Sequence, residues 1–235
     1  MFDYLCRRAS LTVLIALAGC AGMVASVEPG RSAAAPTYHV GDRWVYQAQD
    51  GFRSKSRWTE SYEITAVGPA EIAVRVTQRG DGIDSVRMER WTAPGQVSVG
   101  AVYDSETRRF AMPLQRYNFP LRRGQVWNQW VDNVNDNAKT EGAINRYVVV
   151  GDWQKVTTPA GTFDAIQLRV LMRLDDDTFW RWPTTCSYLV WYAPDVRAVV
   201  REEREAGYVE RGGPDVSTVW TQHGILELSA FTSGG

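Results

Sequence analysis

The sequence has few of the side chains from which metal sites and nucleophilic centres are usually built. It contains three cysteines, Cys6, Cys20 and Cys186, and two histidines, His39 and His223. Neither histidine heads an H-E-x-x-H motif and no two cysteines form a close pair, so the ligand spacings of a zinc centre are missing. No G-x-S-x-G elbow and no glycine-rich loop leading into a helix is present, which removes the common esterase and phosphate-cradling motifs. Lysine is scarce too, with only Lys55, Lys139 and Lys155 among 26 basic residues, and the formal net charge is −1. A nearly neutral chain offers nucleic acid and anionic lipid no general attraction. Long segments of helical period are also lacking. The sequence therefore predicts no metal, no cofactor and no nucleic-acid partner.

One long uncharged run stands at the amino terminus, residues 9–27. It follows Arg7 and Arg8, and its apolar core of Leu11, Val13, Leu14, Ile15 and Leu17 ends in small residues, the order of a secretory signal. That core is shorter than the about 20 apolar residues of a spanning helix, and an uncleaved anchor is the alternative. It closes on Leu17-Ala18-Gly19-Cys20, which resembles the lipobox of bacterial lipoproteins. The resemblance implies cleavage before Cys20, a diacylglyceryl thioether on its sulfur and a palmitate-type acyl chain on the new amino group. More than one chain makes such an anchor durable. Ala21 stands where that family's inner-membrane retention rule has aspartate, which implies the periplasmic face of the outer membrane, with inner-membrane anchoring as the alternative. Loss of residues 1–19 leaves 24 basic and 26 acidic residues, because Arg7, Arg8 and Asp3 are removed. Cys186 is then the remaining thiol, expected as a small buried residue rather than a nucleophile.

Residues 20–37, rich in Ala, Ser, Gly and Pro, are expected to form a lipidated flexible tether, and residues 38–232 a single β-domain. The period in that domain is two: Ile72, Val74 and Val76 alternate with Ala73 and Arg75, and Ile166, Leu168 and Val170 with Gln167 and Arg169. Short strands without helices between them predict an all-β fold: an antiparallel sandwich, roll or partly open barrel of about ten to thirteen strands after the signal helix. Residues 201–206 fit either a short helix or an exposed strand end. An internal echo pairs Gly41-Asp42-Arg43-Trp44 with Gly124-Gln125-Val126-Trp127. It also pairs Pro69-Ala70 with Pro159-Ala160, and Trp91-Thr92-Ala93-Pro94 with Trp191-Tyr192-Ala193-Pro194. Chance recurrence in a β chain is one explanation. The other is two similar halves, 38–111 and 112–232, joined through residues 112–123.

The stretch Pro159-Ala160-Gly161-Thr162-Phe163-Asp164-Ala165, followed by Trp191-Tyr192-Ala193-Pro194, resembles the P-A-G-T-F-x-A and W-Y-A-P pattern of uncharacterised periplasmic β-domains in bacterial lipoproteins. The opening Gly41-Asp42-Arg43-Trp44-Val45-Tyr46 is similar to theirs, and no catalytic residue comes with the resemblance. Asp195 departs from the glycine usual there, which leaves the turn after Pro194 open. Elsewhere the motif is scaffold: Pro159 presets φ for a tight turn, and Gly161 can take the left-handed conformation beside it.

Ten tryptophans carry the best functional hint, since tryptophan packs β cores and also lines ligand and partner sites. Trp180 and Trp182 should share a face if they lie on a strand, and Trp127 and Trp130 should face opposite ways. The clusters Asp132, Asn133, Asn135, Asp136, Asn137 and Asp175, Asp176, Asp177 suit solvated turns better than calcium loops. Together these features predict a non-enzymatic envelope lipoprotein, anchored through Cys20, whose β-domain binds an envelope protein or lipid partner. No ligand-binding residue stands out. Two alternatives remain. One is a carrier of an apolar ligand like LolA and LolB, which requires a continuous apolar cavity; the other is a glycan or peptidoglycan hydrolase, which requires converging carboxylates in a cleft.

Overall fold

The period-two segments do become strands, and the strands close on themselves. The computed structural model describes residues 30–51, 56–103, 106–176, 178–212 and 218–235; the signal segment and Cys20 lie outside them. In chain order the strands are β1 (Ser32–Ala33), β2 (Arg43–Asp50), β3 (Ser56–Val67), β4 (Ile72–Gly80), β5 (Ile83–Ala93), β6 (Gln96–Gly100) and β7 (Arg108–Gln115). There follow β8 (Leu121–Arg122), β9 (Val126–Asn135), β10 (Thr140–Thr158), β11 (Gly161–Asp176), β12 (Thr184–Ala193), β13 (Ala198–Val209) and β14 (Thr218–Thr232). Strands β2 to β7 and β9 to β14 form one closed, antiparallel, twelve-stranded barrel, with β14 paired to β2 and β7 to β9. Closure selects the barrel from the three architectures expected and gives every barrel strand a neighbour on both sides.

Alternation decides which side chains fill the barrel. On β4, Ile72, Val74 and Val76 are buried while Arg75 is exposed; on β11, Leu168, Val170, Met172 and Leu174 are buried while Arg169 and Arg173 are exposed. The outer wall carries ion-paired ladders such as Glu63 with Arg75 and Arg201 with Glu227. A barrel that spans a membrane has the reverse arrangement, an apolar outer band. Residues 201–206 belong to β13 and not to a helix, because they pair with β12 on one side and β14 on the other.

The two halves of the echo occupy matching places. Gly41 and Gly124 both have positive φ, 90° and 78°. Gly41 N–H donates to Ile64 O, and Ile64 N–H donates in return to Asp42 O; Gly124, Val150 and Gln125 repeat this pair. The side chains of Asp42 and Gln125 each accept from the backbone N–H three residues earlier, at His39 and Arg122. Six barrel strands, β2 to β7, precede residues 116–125 and six, β9 to β14, follow them. The connector is residues 116–125, since residues 112–115 continue β7. The departure at Asp195 has a local answer as well. Pro94-Gly95 turns on Gly95 at φ 80°, whereas Pro194–Val196 makes a short 3-10 turn ended by Arg197 at φ 57°.

The folded domain begins before Tyr38. Ser32 and Ala33 pair with Arg122 and Leu121, and Ala33 and Leu121 are both fully buried. Arg31 sits 3.9 Å above the Trp153 ring and meets Asp164 at 3.2 Å. Residues 31–33 are thus docked rather than part of a free tether. The small side chain of Ala33, in a stretch that reads as linker, is what fits beside Leu121.

Candidate ligand site inside the barrel

The hairpin carrying Pro159 and Gly161 and the two glycine-led corners set the register of the wall, and the wall places an unusual set of side chains inside. A cavity of about 130 Å³ lies among Tyr38, Trp44, Tyr62, Trp91, Tyr117 and Tyr192, together with Arg87, Arg116, Arg146, Arg204 and Glu202. Tyr38 reaches it from the docked amino-terminal segment, with its ring 5.7 Å from Trp44 and 5.6 Å from Trp91. Arg116 and Tyr117 come from the connector between the halves. Met172, Val190 and Leu226 supply apolar wall.

Charged groups here are organised as a chain of ion pairs. Glu60 accepts from Tyr62 Oη at 2.6 Å and Gln78 Nε2 at 2.9 Å, with Arg87 3.8 Å away. Glu89 accepts from Trp91 Nε1 at 3.0 Å, Arg116 Nη1 at 3.2 Å and Arg87 Nη2 at 3.3 Å. Glu202 is held by Arg204, and Asp42 by Arg197 at 2.7 Å. Burial opposes ionisation of Glu60, but Arg204 and Arg87, with the bonds from Tyr62 and Gln78, outweigh it and lower its pKa. Glu89 behaves alike: burial raises its pKa, and Arg116, Arg87 and Trp91 bring it below the ordinary value. Burial pushes the phenols of Tyr38, Tyr46 and Tyr188 well up, so they remain neutral donors. Among the described residues, three that line the cavity have buried polar atoms without a hydrogen-bond partner: Arg87 Nη1, the Tyr192 hydroxyl and Arg197 Nε.

The pH dependence follows from the sign of these shifts. A carboxylate whose folded pKa is depressed stabilises the fold above its unfolded value, about 4.3 for glutamate, and loses that contribution as pH falls through the folded value. Stability to urea is therefore expected to decline below about pH 4.3, with a smaller decline in Glu89→Gln. An unfolding midpoint at pH 3 equal to that at pH 7 would contradict the ionised assignment of Glu60 and Glu89.

The residues singled out by sequence lie mostly elsewhere. Trp127 is buried and Trp130 exposed, on opposite faces of β9 as expected. Trp180 and Trp182 are exposed, but their segment is a bent lip and not a strand, held by Trp182 N–H to Val209 O and Arg211 N–H to Trp180 O. Asp176 is no solvated tip: it is buried against Arg108 at 2.5 Å and Arg181 at 2.9 Å. Asn133 bonds Arg108, Asn135 receives the N–H groups of Asn137 and Ala138, and Asp136 pairs with exposed Arg109. Cys186 is buried on β12. His223 meets Glu205 on the outer wall at 3.2 Å, and the backbone N–H of His39 bonds Asp42. The cavity charges went unnoticed in the sequence. Their one signal was period-two spacing, Arg87 with Glu89 and Glu202 with Arg204.

Fold and site together define a class: a closed antiparallel barrel with a polar, aromatic interior cavity. No protein-family model matches the chain, and no curated protein matches it. Two crystal structures share its fold. A protein from Parabacteroides distasonis ATCC 8503, provisionally classed as a lipoprotein, superimposes with a TM-score of 0.50 at 15% identity, over 83% of this chain and 96% of its own. A protein from Bacteroides fragilis NCTC 9343, provisionally classed as exported and described as having a YmcC-like fold, gives a TM-score of 0.51 at 13% identity, over 86% and 100%. At these identities the likeness is one of fold.

Proposed function

We propose that this protein is a non-enzymatic envelope lipoprotein, tethered by lipid on Cys20 to the periplasmic face of the outer membrane, whose barrel binds a small molecule in its interior. One observation carries the reading: an aromatic-walled cavity into which ionised side chains project, with donors of Arg87 and Tyr192 left unpartnered beside it. Buried ion pairs are poor stabilisers compared with apolar residues of equal volume. Their concentration around a cavity is more economically explained by recognition than by folding. A hydrolase would need a carboxylic acid with a raised pKa. Glu60 and Glu89 are shifted the other way, which favours binding over catalysis. At about 130 Å³ the cavity is also too small for an acyl chain, which counts against a LolA-like or LolB-like carrier. The provisional lipoprotein and exported classes of the two fold relatives agree with an envelope address.

The test is native mass spectrometry of the full-length protein, extracted from its own envelope in mild detergent and compared with the same protein denatured and refolded. A small molecule retained in the first and absent from the second is the expected result; identical masses would overturn the container. In parallel, Cys20→Ser is expected to move the protein from the membrane to the soluble fraction with its circular dichroism unchanged. An unaltered distribution would remove the lipid anchor from the proposal.

A further inference from the structure

Resting on the reading of the barrel interior as a ligand site, we propose that its ligand is a single-ring monocarboxylate whose charge is received by the Arg146 guanidinium. The charge balance of the cavity points there. Arg87, Arg116, Arg146, Arg197 and Arg204 line it, against the buried carboxylates Asp42, Glu60 and Glu89 and the partly buried Glu202. Four of those arginines meet a carboxylate: Arg87 and Arg116 meet Glu89, Arg197 meets Asp42 and Arg204 meets Glu202. Arg146 meets none of them. Its Nε and Nη2 donate to the main-chain carbonyls of Gln115 at 3.3 Å and Arg116 at 2.9 Å. Carbonyl dipoles offset part of a buried charge, and a carboxylate would complete the compensation.

Position explains why this arginine is the one left over. The β7–β9 ladder covers only three residue pairs, from Arg108 with Asn135 to Phe110 with Asn133. Beyond it the wall is closed by side chains: Gln129 bonds Gln115 N–H and Pro113 O, and Trp127 bonds Gln115 O. Arg146 reaches from β10 beneath this seam and ends at the cavity. Burial draws its pKa down to about 10; Arg116 adds to the lowering while Tyr117, the through-space charge of Glu202 and Tyr188 oppose it, so it remains a cation at neutral pH.

Volume and lining set the rest of the ligand. A cavity of about 150 Å³ accommodates benzene, and this one measures about 130 Å³. Its walls are largely the rings of Tyr38, Trp44, Trp91, Tyr117 and Tyr192, which favour a planar or compact apolar body. The Tyr192 hydroxyl and Arg87 Nη1, both unpartnered, can donate to carboxylate oxygens or to a ring substituent.

Benzoate and its neutral isostere benzamide serve as probes, titrated calorimetrically at equal ionic strength into the refolded full-length protein in detergent. Benzoate is expected to bind at least about tenfold more tightly, the order of one charge-assisted contact. Arg146→Gln should bring benzoate down to the benzamide level, and Arg146→Lys should restore part of the difference. Quenching of cavity tryptophan fluorescence by benzoate in the unaltered protein gives a second readout should Arg146→Gln fail to fold. Equal binding of the two probes would overturn the anionic class and leave the container standing. Binding of neither probe, with an envelope molecule retained in native mass spectrometry, would overturn the single-ring carboxylate alone. Binding of neither, with nothing retained, would overturn both.

Discussion

Glu89→Ala is expected to cost about 3–5 kcal/mol, the loss that follows removal of one member of a buried ion pair. Glu89 is 1% exposed and accepts from Arg87, Arg116 and Trp91. Removing its carboxylate would leave two guanidiniums facing each other in a nearly dry interior, with one indole N–H unpaired. The Coulomb repulsion and the lost hydrogen bonds act in the same direction. Glu89→Gln keeps the volume and part of the hydrogen bonding, so its loss should be smaller than that of the alanine variant. Urea unfolding at neutral pH measures both, and a loss below about 1 kcal/mol for Glu89→Ala would show that water, not protein, solvates the pair.

Trp44→Ala should have an effect of the same size, about 3–5 kcal/mol, for a different reason. Trp44 is 2% exposed, stacks at 5.8 Å on Phe231 and packs edge-on against Tyr38. Its indole N–H donates to Val196 O at 2.7 Å, tying β2 to the 3-10 turn between β12 and β13. Truncation opens a cavity beside one already present and orphans that carbonyl. Trp127, at the corresponding place in the second half, is also buried and bonds Gln115 O at 3.2 Å, so Trp127→Ala should approach the same loss. Trp130, 59% exposed, is the control: Trp130→Ala should change stability by no more than about 0.5 kcal/mol. Similar losses for Trp130→Ala and Trp127→Ala would contradict the assignment of inside and outside on β9.

These variants probe features that differ in how openly the sequence declares them. Trp127 and Trp130 could be placed from spacing alone, because three residues along a strand reverse the face. Gly41 and Gly124 announced the repeated corner by composition. The buried role of Asp176 could not be read locally, because its partners Arg108 and Arg181 come from β7 and from the lip after β11. Ala33 looked like linker because its value lies in being small beside Leu121, a residue 88 positions away.

By itself the sequence determined the strand class, the turn chemistry at Pro159-Ala160-Gly161 and the faces of the strands that alternate apolar with polar. Those are local properties, set by backbone sterics and a side-chain period of two. Tertiary structure alone decided that the sheet closes, and which charges it closes around. Arg201, Glu202, Glu203, Arg204 and Glu205 form an unbroken run of charge with no alternation to read. A one-residue slip in register would exchange every inward and outward member. Pairing of β13 with β12 and β14 puts Glu202 and Arg204 inside and turns Arg201 toward Glu227 on the wall. Arg146 acquires its meaning in the same way, since a cation is in surplus only relative to the carboxylates that distant strands bring around it.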